Sequence, residues 1–352
     1  MKLHSVASAF PPYSYTQAEC LDAMRGAPFW GTLNGRSKMV LEKVLTGDSG
    51  IAKRHFCVDR LEDAWSRGAQ ELNEAYERDA PKLAAEAVRK AIVKSGHQVD
   101  EIDALLICSC TGFLCPGVSS YVAEDLGLRT DVFMQDMTGL GCGAAVPLFR
   151  AARGVAADKP DAVVVTVAVE VCSAAFYVED DFGVLISTCI FGDGAAAAVW
   201  SGEKDGWQLG DFQSLHYPEE REKIRFTNAG GKLRNQLDRK VPDLAAEAVS
   251  KLYAKRVVEH PDAWVTHGGG RDVIEKLEEV LPNADFAKSV MSKYGNLSSP
   301  SVMLALESFL ETRTTETSAW LCAFGAGFSA HSGELQYHDA QGSGQSADTM
   351  VD

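Results

Sequence analysis

Two stretches of the chain repeat one pattern of apolar and polar positions. Residues 81–90 and 242–251 are identical at eight of ten positions, and each opens with a proline. Both patterns predict a helix with the proline in its first turn. The apolar residues that share one face of the first helix are Leu83, Ala84, Ala87, Val88, Ala91 and Ile92.

A short apolar run follows each predicted helix, at residues 104–110 and 263–267. Both runs predict buried strands, so the chain is expected to have a layered α/β architecture. A second repeat is formed by Phe-Gly-Asp-Gly-Ala at 191–195 and Phe-Gly-Ala-Gly-Phe at 324–328, and each leads into a predicted strand. Chance recurrence of alanine-rich helices and glycine turns is the alternative to a true duplication.

The repeats predict two similar halves, residues 1–205 and 206–337, joined through a polar stretch at 201–206. Residues 338–352 are rich in Gly, Ser, Gln and Asp and have nothing to bury. This tail is therefore expected to be disordered.

Composition narrows the function classes. The chain has 352 residues, 46% of them apolar, which is enough for a large buried core. A net charge of −15 without a basic cluster argues against nucleic acid as a partner. We expect a cytoplasmic protein, because neither a signal peptide nor a membrane span is recognisable. The nine cysteines show no metal-ligand spacing, so they are expected to be free thiols.

One cysteine stands where a nucleophile would be useful. Cys142 lies in Gly-Leu-Gly-Cys-Gly at 139–143, between a predicted strand and an alanine-rich helix reaching about Arg153. The positive end of a helix dipole favours a thiolate there. A cysteine that simply packs at a helix start is the alternative.

Two further residues are candidates for polar chemistry. His267 ends a predicted strand and precedes three glycines, ahead of a predicted helix at 271–281, so its ring can project from the edge of the sheet. Asn296 precedes an apolar helix predicted at 302–310. Alternatively, His267 is a core histidine and Asn296 is a turn or helix-capping residue.

The order Cys, His, Asn on a duplicated chain resembles the thiolase superfamily. The nearest branches are ketoacyl-ACP synthase III and the chalcone-synthase-like type III polyketide synthases of bacterial type, and the resemblance runs from Phe10 to Ser329. Its motifs are Gly-Cys-Gly at 141–143, Phe-Gly-Asp-Gly-Ala at 191–195, His-Gly-Gly-Gly at 267–270, Tyr-Gly-Asn-Leu-Ser-Ser at 294–299 and Phe-Gly-Ala-Gly at 324–327.

The resemblance implies a five-layered αβαβα thiolase fold and a homodimer. It implies that Cys142 takes an acyl starter and that malonyl units extend it by decarboxylative Claisen condensation, with His267 and Asn296 stabilising the enolate. No cofactor is implied, only acyl-CoA or acyl-carrier-protein thioesters and malonyl-CoA. The implied oxyanion donors are the backbone N–H of Cys142 and the loop Gly325, Ala326 and Gly327.

The same resemblance implies a substrate pocket and a site for CoA. Phe191 takes a gatekeeper position, and Cys115 precedes the proline of a segment that reaches the partner subunit. Ordinary core packing is the alternative for Cys110, Cys172 and Ala175. Lys53 and Arg54 lie near the CoA-binding cations of plant enzymes but out of register, so a carrier protein is a possible partner. The pocket positions are Phe191, Cys110, Thr111, Cys115, Glu170, Cys172 and Ala175.

Two other functions stay open at this point. A ketoacyl-ACP synthase III-like enzyme would perform a single condensation and release a β-ketoacyl thioester. A non-catalytic thiolase-fold subunit would shape another synthase instead.

Overall fold

A computed structural model describes residues 1–202 and 206–338. The predicted disordered tail therefore lies outside the described residues, except for His338. The strands are β1 Lys2–Ala9, β2 Ser14–Thr16, β3 Lys53–His55, β4 Ile102–Cys108, β5 Phe133–Met137, β6 Val163–Glu170, β7 Gly194–Ser201, β8 Gly206–His216, β9 Ile224–Ala229, β10 Lys232–Leu237, β11 Ala263–Thr266, β12 Ser318–Gly325 and β13 Ser329–His338. The α-helices are α1 Gln17–Gly26, α2 Phe29–Thr32, α3 Gly35–Thr46, α4 Ala69–Ser95, α5 Val118–Leu126, α6 Ala145–Asp158, α7 Phe182–Ile190, α8 Val241–Tyr253, α9 Arg271–Glu278, α10 Asp285–Tyr294 and α11 Pro300–Thr312.

The main sheet repeats its own strand order. Its order is β11-β12-β13-β8-β1-β7-β6-β4-β5, and β1 meets β8 through only two residue pairs. On either side of that junction the orders β1-β7-β6-β4 and β8-β13-β12-β11 correspond, each ending in a parallel pair. The division at residue 205 stays a prediction, because residues 203–205 lie outside the described part of the chain.

Helices cover both faces of each half-sheet. Along β6, alternate residues face opposite layers: Val164 packs with α6 and α11 in the centre, whereas Val165 packs with α4 and α5 outside. Helices α8 and α9 cover the outer face of β12 and β13. The layers are therefore αβαβα, as predicted. Large buried side chains such as Phe149 and Phe309 in the central layer each contribute roughly 1.5–3 kcal/mol to folding.

The structure corrects the start of one repeated helix. Pro242 lies in the first turn of α8, as predicted, but Pro81 lies in the middle of α4. The prediction for Pro81 was wrong because the apolar face continues toward the N-terminus, where Leu72 and Tyr76 are buried. Helix α4 tolerates a residue without an N–H at this point because tertiary packing outweighs the local loss.

Most other element predictions need only shifted ends. The strand predicted at 104–110 starts and ends two residues earlier, α6 continues past Arg153, and α9 stops three residues before its predicted end. The two repeated glycine motifs, at 191–195 and 324–328, lead directly into strands β7 and β13, as predicted. No helix within the described residues is both long and apolar enough to cross a bilayer.

The fold brings several chain segments to one edge of the sheet. Strand β5 leads into the turn that holds Cys142, and β11 leads directly to His267. Asn296 lies in the segment before α11, and its backbone pairs with Phe191. The carboxyl ends of parallel strands are a common location for functional sites in α/β proteins.

Candidate active site

Cys142 lies in a 3-10 turn, Gly141–Gly143, immediately before α6. The turn packs against the loop that follows β12. A Cβ at Gly325 would lie 2.8 Å from the Cys142 nitrogen and 2.6 Å from the Gly143 nitrogen, which is too close for any other residue. The glycine motifs therefore allow two backbone segments to touch beside the sulfur.

The thiol of Cys142 is buried, and this burial raises its pKa to about 12. The Ser298 side chain acts in the opposite direction and lowers that pKa, while the Glu170 carboxylate raises it. We expected the helix N-terminus to favour a thiolate, whereas burial acts in the opposite direction and favours the neutral thiol. A base must therefore take the proton when the sulfur attacks.

The ring of His267 is buried at the end of β11. Its backbone N–H donates to the Cys322 carbonyl at 2.9 Å, and its ring packs edge-on against Phe324 with centroids 5.2 Å apart. Burial lowers the pKa of His267 to about 4, so the imidazole is neutral near pH 7. Its Nδ1 is buried without a hydrogen-bond partner among the described residues. A neutral imidazole can accept a proton or donate a hydrogen bond.

The amide of Asn296 is held on both sides. Its Nδ2 donates to the Gly269 carbonyl at 2.7 Å, in the glycine run that follows His267. Its Oδ1 accepts the backbone N–H of Ser298, also at 2.7 Å. Asn296 therefore forms an Asx-turn, which is the turn role that the sequence left open, and one amide hydrogen stays available for another acceptor.

These contacts connect the three candidate residues. Ser298 lies between the Cys142 thiol and the Asn296 amide. On the other side, Phe324 contacts the His267 ring and is followed by the glycine that touches the Cys142 turn. The structure therefore brings the three predicted residues into one contiguous group, although together they span more than 150 positions of the chain.

A mostly apolar cavity lies next to this group. Of the predicted pocket residues, Thr111, Cys172, Ala175 and Phe191 line it. Ser298 also lines it and so connects the cavity to Cys142. The remaining walls come from the segment before α7, from α7 itself and from the β9–β10 hairpin. Their residues are Phe176, Tyr177, Val184, Ser187, Thr188, Phe226, Leu233 and Asn235.

Three predicted pocket residues lie elsewhere. Glu170 is fully buried behind the cavity and accepts hydrogen bonds from Cys110 N at 3.0 Å, Thr111 Oγ1 at 2.9 Å and Ser299 Oγ at 2.5 Å. Burial raises the pKa of Glu170 despite these donors. The Cys110 thiol contacts the same carboxylate at 3.2 Å, and Cys115 is exposed.

The two predicted CoA-binding cations differ sharply in position. Lys53 is exposed, whereas Arg54 is fully buried. The Arg54 guanidinium donates to Gln17 at 2.9 Å and to the carbonyls of Thr188 and Phe191. Arg54 was expected to bind CoA, and this expectation is corrected. Its guanidinium lies in the interior, donates to groups there and does not reach a phosphate outside.

Comparisons with known proteins agree with this geometry. Residues 62–203 match the family of chalcone and stilbene synthases, N-terminal domain. A 1,3,6,8-tetrahydroxynaphthalene synthase from Streptomyces coelicolor is 28% identical over 301 residues, covering 81% of this chain and 80% of that protein. Phloroglucinol synthase from Pseudomonas fluorescens is 25% identical over 338 residues, covering 91% of this chain and 95% of that protein.

The fold is also shared with solved structures. The crystal structure of the Streptomyces coelicolor tetrahydroxynaphthalene synthase, a bacterial type III polyketide synthase, superposes with a TM-score of 0.87 at 24% identity. It covers 97% of this chain and all of that chain. Along most of its length the chain is similar to the chalcone-synthase-like type III polyketide synthases.

The chain has a thiolase fold and is a condensing enzyme of the acyltransferase type. Within the described residues, no group of His, Cys, Asp and Glu is arranged to hold a metal ion.

Sequence reasoning missed two residues of the site, Ser298 and Phe226. The sequence could have identified Ser298 as a site residue, because it stands two positions after Asn296 in the same motif. The sequence could not have identified Phe226, because only the folded β9–β10 hairpin places it beside the cavity, where Phe191 also lies.

Proposed function

We propose that Cys142 carries the growing acyl chain and that His267 and Asn296 act on the thioester oxygen of malonyl-CoA. The observation that carries this proposal is the contiguous group formed by the three residues at the wall of the cavity. In the loading step, the Cys142 sulfur bonds to the acyl carbon of an acyl-CoA. The carbon–sulfur bond to CoA then breaks, and CoA leaves as its thiol.

The neutral His267 ring is suited to accept the Cys142 proton during loading. When malonyl-CoA loses CO2, the ring and the free amide hydrogen of Asn296 stabilise the enolate oxygen. The enolate carbon then attacks the acyl carbon on Cys142, the carbon–sulfur bond to Cys142 breaks, and its thiolate leaves. The extended chain is then a thioester of CoA, and it returns to Cys142 by the same exchange as in loading. Backbone N–H groups at Cys142 and in the loop at Gly325, Ala326 and Gly327 bind the oxyanion that forms.

The names of the relatives suggest a product class. Those relatives are called synthases of tetrahydroxynaphthalene, of phloroglucinol and, in Streptomyces toyocaensis, of 3,5-dihydroxyphenylacetyl-CoA. The cavity behind Phe191 and Phe226 is mostly apolar. We therefore infer that this synthase makes a small polyhydroxylated aromatic product from CoA thioesters.

A homodimer in the cytoplasm is the assembly that we propose. Strand β5 is a sheet edge, where Phe133 and Met134 are exposed, so it offers unpaired backbone groups and apolar side chains to a second copy. All nine cysteines are free thiols, which fits a reducing compartment.

The test is a product assay with a panel of acyl starters, from acetyl to long fatty acyl and aromatic, offered as CoA and as carrier-protein thioesters with malonyl-CoA. The proposal predicts multiply extended aromatic products or pyrones with CoA starters, lost in Cys142→Ala. His267→Ala should load acyl groups more slowly, because the base is lost, and its main defect should be poor decarboxylation of malonyl-CoA. A single-extension ketoacyl thioester would favour the synthase III-like alternative, and no loading from any donor would favour a non-catalytic subunit.

A further inference from the structure

A second cavity lies on the other side of the nucleophile turn. It is formed between α6 and the strands β8 and β13, and it shares no lining residue with the substrate cavity. At its inner end, the His331 ring packs closely against the turn. A Cβ added at Gly143 would lie only 3.3 Å from His331 Cδ2. The cavity therefore borders Gly143, the residue next to Cys142, on the side of the turn opposite the substrate cavity.

The lining of this cavity has one sign of charge. Arg150, His216 and His331 line it, and no Asp or Glu does so among the described residues. This is unusual for a chain with a net charge of −15. Some arginines have acidic partners: Arg129 pairs with Asp103 at 2.8 Å, for example. Arg150, in contrast, has no carboxylate within ion-pair distance in the part of the chain that the structure describes.

His331 has unused hydrogen-bonding capacity. The residue is only 3% exposed, and its Nδ1 lies 2.9 Å from the Ser214 hydroxyl on the neighbouring strand. Its Nε2 is buried with no partner among the described residues. Burial, and then the nearby His216 and Arg150, lower the pKa of His331 to about 4. The positive charge of Arg150 and an unpaired nitrogen both become less costly when an anion is present.

Apolar residues complete the walls, among them Phe212, over which the Arg153 guanidinium stacks at 4.8 Å. We propose that this cavity binds a small oxyanion, a phosphate or a carboxylate group, with Arg150 as its main charged contact and Ser214 and His216 as polar neighbours. The site is separate from the acyl-binding cavity, and its occupant contacts the segment that supports Cys142 from behind.

The test is isothermal titration of the intact protein with inorganic phosphate and, separately, with benzoate, at ionic strength held constant with sodium chloride. Saturable binding of either anion is expected, and phosphate against benzoate distinguishes a phosphate site from a carboxylate site that uses the apolar walls. Arg150→Gln should weaken binding at least about tenfold, since a charge-assisted contact is lost. Arg60→Gln, which removes an exposed charge outside the cavity lining, should bind as the wild type does.

A second readout separates a local site from a general charge effect. The histidine ring resonance that disappears in His331→Gln should shift during the titration in wild type and in Cys142→Ala, but not in Arg150→Gln. Three results would overturn the proposal: no saturable binding of either anion, equal affinity in Arg150→Gln, or a change in oligomeric state in Arg150→Gln in place of a change in affinity.

Discussion

At the scale of single residues, Ser298 joins the parts of the site. Its hydroxyl lowers the pKa of the buried Cys142 thiol and lies 3.4 Å from Glu170, while its backbone N–H holds the Asn296 amide. It has a positive φ of 58°, which an L residue seldom adopts, so its conformation is fixed by the surrounding contacts. Ser298 is therefore a positioning residue for the nucleophile.

Replacing Ser298 by alanine should make Cys142 less reactive. Without the hydroxyl the pKa of the thiol rises further, and we expect alkylation of Cys142 by iodoacetamide to slow by about threefold to tenfold. Peptide mass spectrometry of the Cys142 peptide follows the rate. Ser299→Ala is the matched control, because that hydroxyl donates to Glu170 instead. An unchanged rate in Ser298→Ala would remove Ser298 from this role.

Some residues of the site could be foreseen from the sequence and others could not. Cys142 and His267 stand in glycine-rich motifs after or at the end of predicted strands, and Asn296 stands before a predicted helix. Their types and order along the chain suggested one site. Arg54 was misjudged, because a cation near an expected binding position looks the same in sequence whether it is buried or exposed. The pKa of Cys142 was also out of reach, since burial sets it.

At the scale of elements, the contact between two glycine loops holds the site together. Gly325→Ala would place a methyl group against three backbone atoms of the nucleophile turn, which cannot move aside. We expect a loss of about 1–3 kcal/mol in the free energy of unfolding and a more than about tenfold loss of acyl loading on Cys142.

The control for this prediction is Gly154→Ala in α6, where an added Cβ meets nothing within 4 Å. Removing an interior helical glycine should stabilise the protein by about 0.5–1 kcal/mol. Urea unfolding and intact-protein mass spectrometry provide both measurements. Normal loading by Gly325→Ala would show that the two loops need not touch.

Elements were predicted well where their pattern is long and periodic. The repeated helices and the strands after them were found from residue spacing alone. The start of α4 was missed because a proline is common in a first turn, and local rules cannot show that packing carries the helix through Pro81. The pairing of β8 with β13 and β1 joins distant segments, so spacing alone could not reveal it.

At the scale of the whole molecule, the exposed edge of the sheet tests the proposed dimer. Met134 on β5 is 45% exposed, and a lysine there would place a charge in the shared interface. We expect Met134→Lys to dissociate the dimer in sedimentation experiments, while Met39→Lys, at an exposed position on α3, leaves it intact. A monomeric wild type, or a dimer that survives Met134→Lys, would contradict this interface.

Acid should destabilise the protein in part through His267. Its pKa is about 4 in the folded chain and about 6.5 when unfolded, so between these values only the unfolded state takes the proton. Stability therefore falls as the pH falls. In urea unfolding at pH 7 and pH 5, His267→Gln should lose about 2 kcal/mol less than the wild type. The exposed His260→Gln variant should behave like the wild type, and equal losses in all three would refute the assignment.

The most direct measurement for the whole account is the location of the acyl group after loading. The protein is incubated with an acyl-CoA starter, quenched in acid and digested, and the acylated peptide is identified by mass spectrometry. The account predicts a thioester on Cys142 alone, and none in Cys142→Ala. Acyl groups on Cys110 or Cys172 in place of Cys142, or loading that persists in Cys142→Ala, would contradict it.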